Sequence, residues 1–84
     1  MLFKAEARRN RLAGLWAAGL LGKSGAEADE YALSVVNADF EEAGSEDVVR
    51  KLAADLDGKA TADEIRKKLS DLMHTAKSQL MSEI

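Results

Sequence analysis

Apolar residues recur with the spacing of an amphipathic helix in four separate segments of the chain. The first carries Leu12, Leu15, Trp16 and Leu20, and the second carries Ala28, Tyr31, Ala32, Val35, Val36 and Phe40. The third carries Val49, Leu52, Ala53 and Leu56, and the fourth carries Ile65, Leu69, Leu72, Met73, Ala76 and Leu80. This pattern predicts four helices, at about 2–21, 25–42, 46–56 and 62–82.

Capping residues and glycines mark the ends of these segments. Ser24 with Glu27, and Thr61 with Glu64, have the spacing of a capping box, and Ser45 is followed directly by two acidic residues. A glycine shortly before each of these starts fits the positive φ that often ends the preceding helix. These glycines are Gly22, Gly44 and Gly58.

The composition narrows the fold to a small helical bundle. The 84 residues contain no cysteine and no proline, and only 5% are aromatic. Neither a disulfide framework nor a structural zinc site can therefore stabilise the chain, and strands are disfavoured. We expect an all-α, single-domain four-helix bundle over residues 1–84 that is held together by packing alone.

The charge is unevenly distributed, although the whole chain carries only −3. Residues 1–23 carry a net charge of +4, whereas residues 24–44 carry −6. The simplest interpretation is that the first two helices pair through complementary faces. The alternative is that the basic cluster of the first helix, where Lys4, Arg8 and Arg11 share a face, binds an anionic ligand such as phosphate.

Residues 8–28 also have the parts of an export signal, with two adjacent arginines, an apolar run over 12–22 and the Ala26-Glu27-Ala28 stretch. Cleavage after Ala28 would leave three apolar stripes instead of four. The apolar run is diluted by glycines and is too short to span a bilayer. We therefore expect this stretch to be retained as the first helix; an exported protein would instead have an N-terminus near Asp29.

The residues argue against an enzyme. The chain has no cysteine nucleophile and no Walker-type phosphate loop, and its single histidine, His74, has no evident catalytic partner. Nucleic acid is disfavoured because the acidic remainder of the chain would repel a polyanion. Direct membrane insertion is disfavoured because the four apolar stripes can pack against one another, which leaves little apolar surface for a membrane.

Three ordered strings carry a resemblance to a known family. They are A-R-R-N-x-L-x-G-L-W-A-A at residues 7–18, with an additional arginine at Arg11, A-D-F-E-E-A-G at 38–44, and D-V-x-R-K-L-x-A-D-L at 47–56. Together with the context "FKAEARRNRLAGLWAA" and "EIRKKLSDLM", the chain resembles the zeta subunit of alphaproteobacterial F-type ATP synthases along nearly its whole length.

The resemblance implies a cytoplasmic regulatory protein, associated with the inner-membrane ATP synthase, that binds the catalytic head and restrains ATP hydrolysis. It also implies ADP or ATP as a regulatory ligand without turnover, and no other cofactor. The candidate nucleotide-binding residues are those in its first and third strings, namely Arg8, Arg9, Asn10, Trp16, Arg50 and Lys51.

Two matters stay open at this point. Members of the family carry a polar and acidic inhibitory arm before the "FKA" string, and this arm is essentially absent from the sequence given. A function of a different class, a generic helical adaptor that uses the basic face of the first helix and binds no nucleotide, is the alternative. The residues alone favour ion pairs for the adjacent arginines, whereas the resemblance favours phosphate.

Overall fold

The computed structural model describes residues 2–38 and 45–83, which form four α-helices. Helix α1 spans Leu2–Leu20, α2 spans Gly25–Asn37, α3 spans Glu46–Asp55 and α4 spans Ala62–Ser82. The prediction of an all-α fold is thus confirmed. The observed bounds of α1, α3 and α4 agree with the prediction to within one residue. Helix α2 ends at Asn37, so the prediction that it includes Ala38 is wrong, and residues 39–42 of the prediction lie outside the described part.

Helix α1 occupies the centre of the fold, with its most extensive contacts to α2 and α4. Its buried apolar side chains are small, and they include Ala13, Ala17 and Ala18. The apolar stripe predicted for this helix is therefore wrong in detail, since Leu12, Leu15 and Trp16 are only partly buried and Leu20 is 41% exposed.

Close helix packing explains this difference. An added Cβ on Gly14 would lie 2.6 Å from the Cα of Ala32, so the backbones of α1 and α2 approach too closely there for larger side chains. A helix packed on two sides at this distance buries alanine and glycine, and its leucines lie at the margins of the contact.

The larger apolar side chains of the core come from the other three helices. In α2, Val35 is buried, as the predicted stripe requires, whereas Phe40 lies outside the described residues. The remainder of the core comes from α3, the turn that follows it, and α4, through Val48, Val49, Leu52, Leu56, Ile65 and Leu69.

The helix ends differ in how well they match the sequence prediction. The Thr61 hydroxyl accepts a hydrogen bond from the Glu64 N–H, and the Glu64 carboxylate accepts one from the Thr61 N–H, which confirms this capping box. The box predicted at Ser24 is wrong, because the Ser24 side chain makes no capping bond. Gly25, the residue that follows Ser24, has a φ of +58°, which is in the left-handed region. The residue after a serine cap normally has a helical φ, so the start of α2 departs from the geometry of a capping box.

The predicted glycine conformations are found where the structure describes them. Gly22 and Gly58 have φ values of +77° and +80°. Gly44 lies outside the described residues. Its neighbour Ser45 precedes α3 without a side-chain capping bond, while the two acidic residues predicted for the first turn of α3 are in place.

Candidate binding surface

Arg8, the first of the sequence candidates, lies on α1. Its guanidinium forms a two-point ion pair with the Glu83 carboxylate at the end of α4, with one Nη2–Oε1 distance of 3.0 Å. Gln79 Oε1 lies 3.4 Å from Nη1. Arg8 therefore pairs with α4, and not with the acidic second helix that the charge distribution suggested.

Arg11 supplies the pairing that was expected between the first two helices. Its Nη2 lies 3.8 Å from Asp29 Oδ1 of α2, and both side chains are largely exposed. Lys4, one turn before Arg8, is exposed and forms no ion pair within residues 2–38 and 45–83. The basic face of α1 is thus only partly neutralised by the rest of the fold.

Arg9 and Asn10 are inside the bundle. Arg9 is 7% exposed and Asn10 is 1% exposed, and the Arg9 Nε–H donates to Asn10 Oδ1 at 3.0 Å. Each side chain also takes part in at least one further interaction. In this conformation the two residues form a buried polar contact, which is a poor position from which to reach a ligand in solvent.

Trp16 lies at the margin of the core, on the side of α1 that faces α4. Lys68 Nζ of α4 is 5.7 Å from the centroid of its ring, a cation–π geometry. Trp16 is two turns from Arg8 along α1, or about 12 Å. The ring and the Arg8 guanidinium therefore have different neighbours, Lys68 in the first case and the C-terminal end of α4 in the second.

Arg50 and Lys51 are on α3, where each pairs with an aspartate of its own helix. Arg50 binds Asp47, and Lys51 Nζ lies 3.0 Å from Asp55 Oδ2. Lys51 Nζ is also 5.2 Å from the ring centroid of Tyr31 on α2. Tyr31 was not among the nucleotide candidates, and its side chain gives Lys51 an aromatic neighbour.

The contact between Tyr31 and Asp55 joins α2 to α3 and shifts both pKa values. Burial raises the pKa of Tyr31 well above its usual range, and the hydrogen bond that its hydroxyl donates to Asp55 at 2.7 Å adds to the effect. Burial also acts to raise the pKa of Asp55. The hydrogen bonds from Tyr31 and Lys51 outweigh that effect, so the pKa of Asp55 is lower than usual.

A similar polar contact joins α3 to α4. Arg66 of α4 donates to Glu46 of α3 through Nη2, at 3.0 Å, and through Nε, at 3.3 Å. The hydrogen bond from Arg66 holds the pKa of Glu46 below its ordinary value. Arg66 also pairs with Asp63 of its own helix.

The six candidates consequently do not form one site. Arg8 is near the end of α4, Arg9 and Asn10 are buried, and Trp16 contacts Lys68. Lys51 lies against Tyr31 of α2, and Arg50 pairs with Asp47 of its own helix. Sequence spacing placed Arg8 with Lys4 and Arg11 correctly on one helix face. It gave no signal for the neighbours that other helices supply, such as Glu83 and Tyr31.

The basic face of α1 borders a groove with a volume of about 420 Å³. Lys4, Arg8 and Arg11 lie on its α1 side together with Ala7. The remaining lining residues come from α2 and from the end of α4; they are Leu33, Val36, Leu80 and Glu83. The groove therefore combines basic and apolar groups.

Within residues 2–38 and 45–83 there is no group of three or more side chains suited to hold a metal ion. Over the same residues, no helix combines the length and the apolar character needed to cross a membrane. His74 is exposed on α4, as expected for a surface histidine.

Comparison with models of known protein families shows the family to which this chain belongs. The model of the family described as ATPase inhibitor subunit zeta matches residues 1–79. The chain belongs to this family. The resemblance that its three strings carry is thereby confirmed, and membership in the ATPase inhibitor family supports a regulatory, non-catalytic role on an ATPase.

A solved structure supports the four-helix fold independently. A solution NMR structure with 63% sequence identity covers 100% of this chain and 99% of its own chain, and it superposes with a TM-score of 0.91. A search of the curated proteins found no match.

The signature strings of the zeta resemblance fall on defined elements. The string at residues 7–18 lies wholly in α1, the helix that contacts both α2 and α4, and the string at 47–56 covers nearly all of α3. Of the string at 38–44, only Ala38 lies within the described residues. The first string thus supplies two of the basic residues that line the groove, Arg8 and Arg11.

Proposed function

We propose that this protein is a regulatory subunit, without catalytic activity of its own, that binds the catalytic head of an F-type ATP synthase and restrains ATP hydrolysis. The observation that carries the proposal is the match of the zeta-subunit family over residues 1–79. On this proposal the protein acts in the cytoplasm, where it associates with the head of the membrane-bound ATP synthase.

The arrangement of side chains is compatible with a protein that works by contact. The buried polar pair of Arg9 and Asn10 and the close crossing at Gly14 hold α1 in a defined position. The charged side chains of α1 that remain accessible, among them Lys4 and Arg11, can then be presented to a partner without reorganising the bundle.

Adenine nucleotide is proposed as a regulatory ligand. Of the six candidates, Arg9 and Asn10 are poorly placed because they are buried, and the groove that Arg8 lines has no aromatic side chain among the described residues. Among the candidate cations, Lys51 lies next to an aromatic ring, that of Tyr31, and Arg50 precedes it on α3. Phosphate contacts from Arg50 and Lys51, with adenine stacked near Tyr31, are therefore the arrangement best supported.

The inhibitory function can be tested by measuring ATP hydrolysis by the cognate catalytic head as the natural protein is added. We expect hydrolysis to fall with a saturable dependence on protein concentration. Unchanged hydrolysis, combined with no detectable complex between the two proteins, would contradict the proposal.

The nucleotide function needs a separate experiment, a titration with ADP followed by amide chemical shifts. We expect the largest shifts near Arg50, Lys51 and Tyr31. Shifts concentrated at Arg8 would move the phosphate site to α1. If none of the six candidates nor Tyr31 responds at millimolar ADP, nucleotide binding by these residues is wrong.

A further inference from the structure

The groove between α1, α2 and the end of α4 carries a positive charge on a protein that is negative overall. Its lining includes three basic residues and one acidic residue, whereas the whole chain carries a charge of −3. Lys4, Arg8 and Arg11 follow one another at intervals of four and three residues, so they form a continuous wall on one face of α1. This wall attracts acidic groups locally.

The opposite side of the groove is apolar. Leu33 of α2 is 59% exposed, and Val36 and Leu80 are partly buried beside it. An isolated exposed leucine is ordinary on a protein surface, but here the leucine borders a concave surface with two further aliphatic side chains. The groove can therefore bury an apolar side chain while its basic wall binds carboxylates.

We propose that this groove is the docking surface for an acidic polypeptide segment of the catalytic head, with an apolar side chain of that segment packed against Leu33. This inference rests on the proposed function and adds to it the face of the bundle that meets the partner. The charge complementarity between the basic wall and an acidic segment identifies the occupant.

The basic side chains of the wall can accept such a partner without unfolding any helix. Lys4 forms no ion pair within the described ranges, and Arg11 has only the exposed, 3.8 Å contact with Asp29. Arg8 is bound by Glu83, but a guanidinium has five N–H donors, so it can bind a second carboxylate beside the first.

Two other occupants fit the groove less well. A nucleotide would find cations for its phosphates, but none of the lining residues is aromatic, so adenine would have no ring on which to stack. A second copy of the chain in a symmetric dimer would place one basic wall near the other, which is unfavourable.

The test measures binding of the cognate catalytic head to the wild-type chain and to two groove variants, Lys4→Glu and Leu33→Asp. Both residues are exposed, so the variants should keep the helical content of the wild type, which circular dichroism verifies. We expect each variant to weaken binding by about tenfold or more, and added salt to weaken wild-type binding.

Two control variants carry the same substitutions at positions away from the groove. Lys59→Glu reverses an exposed charge in the turn before α4, at the end of that helix opposite to Glu83. Leu20→Asp changes an exposed leucine at the end of α1, about 13 Å along the helix from Arg11. We expect both controls to bind the head like the wild type.

The outcomes separate this inference from the function on which it rests. Failure of the wild-type chain to bind the head contradicts the proposed function. Binding by the wild type with equal affinity for groove and control variants overturns the docking surface alone. The docking surface is also overturned if the groove variants retain head binding and instead abolish self-association in sedimentation, or abolish ADP-induced shifts.

Discussion

At the scale of single residues, Gly14 is the described glycine at which an added side chain would meet the closest neighbour. A Cβ added there would approach the Ala32 Cα to 2.6 Å, and backbone atoms cannot move aside as a flexible side chain can. We expect Gly14→Ala to force α1 and α2 apart and to lower the free energy of unfolding by about 1–3 kcal/mol, which urea denaturation measures.

Gly19 offers the matched control in the same helix. An added Cβ at Gly19 meets nothing within 4 Å, so Gly19→Ala gains helix propensity and should stabilise the protein by about 0.5–1 kcal/mol. Equal effects of the two substitutions would contradict the close packing of α1 and α2.

The buried pair of Arg9 and Asn10 gives a second residue-scale prediction. Asn10→Ala removes the acceptor of the Arg9 Nε–H bond inside the bundle, so we expect a loss of about 1–3 kcal/mol in the free energy of unfolding. The control is Asn37→Ala, at an exposed position at the end of α2, where the loss should be much smaller. Similar losses at both positions would show that the buried bond contributes little.

At the scale of helices, α4 is the element best predicted from the sequence. Its N-terminus is fixed by the Thr61–Glu64 box, whose two hydrogen bonds depend only on local spacing. Thr61→Ala should therefore destabilise the protein by about 1 kcal/mol in thermal or urea denaturation, whereas Ser24→Ala should have almost no effect, because Ser24 makes no capping bond. A comparable cost at Ser24 would contradict the structure of the α1–α2 connection.

The bounds of the helices could be predicted from the sequence, whereas the buried face of α1 could not. Helix bounds depend on near neighbours, and three of the four helices are found within one residue of their predicted bounds. The buried face of α1 depends instead on how closely α2 approaches, which no local pattern contains. For that reason Leu20 was expected in the core and is exposed, while Arg9 and Asn10 were expected at a site and are buried.

The contact between α2 and α3 can be monitored through the ionisation of Tyr31, the single tyrosine of the chain. Burial, reinforced by the hydrogen bond to Asp55, raises the pKa of Tyr31. This group therefore contributes stability below the ordinary tyrosine pKa of about 10, and that contribution is lost as the pH rises toward the higher folded-state value. We expect the phenolate absorbance to appear only well above pH 10 in the folded protein, with circular dichroism recording unfolding in parallel.

Because the chain has a single tyrosine, the absorbance change has only one possible source. A midpoint near the ordinary value while the helices remain intact would contradict the Tyr31–Asp55 contact. Tyr31→Phe should remove the signal and lower the free energy of unfolding by about 0.5–1.5 kcal/mol.

At the scale of the whole molecule, the polar contacts connect all neighbouring helices through a few side chains. Arg11–Asp29 joins α1 to α2, Tyr31–Asp55 joins α2 to α3, Glu46–Arg66 joins α3 to α4, and Arg8–Glu83 joins α4 back to α1. The three ion pairs among these contacts are at the surface, and each contributes modestly to stability. Their arrangement leaves the basic wall of α1 accessible beside an apolar groove.

The sequence indicated the family and the basic face of α1, but it could not assign a ligand to that face. The candidate Lys51 has an aromatic neighbour, Tyr31, only through the packing of α2 on α3. The groove likewise needs Leu33 from α2 and Leu80 from α4, which are far from Arg8 in sequence. Neither combination has a periodic signal along the chain.

The proposed regulation of an F-type ATP synthase depends on binding of this protein to the catalytic head. The most direct measurement is the equilibrium binding of the wild-type chain to the purified cognate head, recorded in the same series as Leu33→Asp and Leu20→Asp. We expect saturable binding by the wild type and by Leu20→Asp, and binding at least about tenfold weaker by Leu33→Asp. Absence of any complex between the wild-type chain and the head would contradict the account.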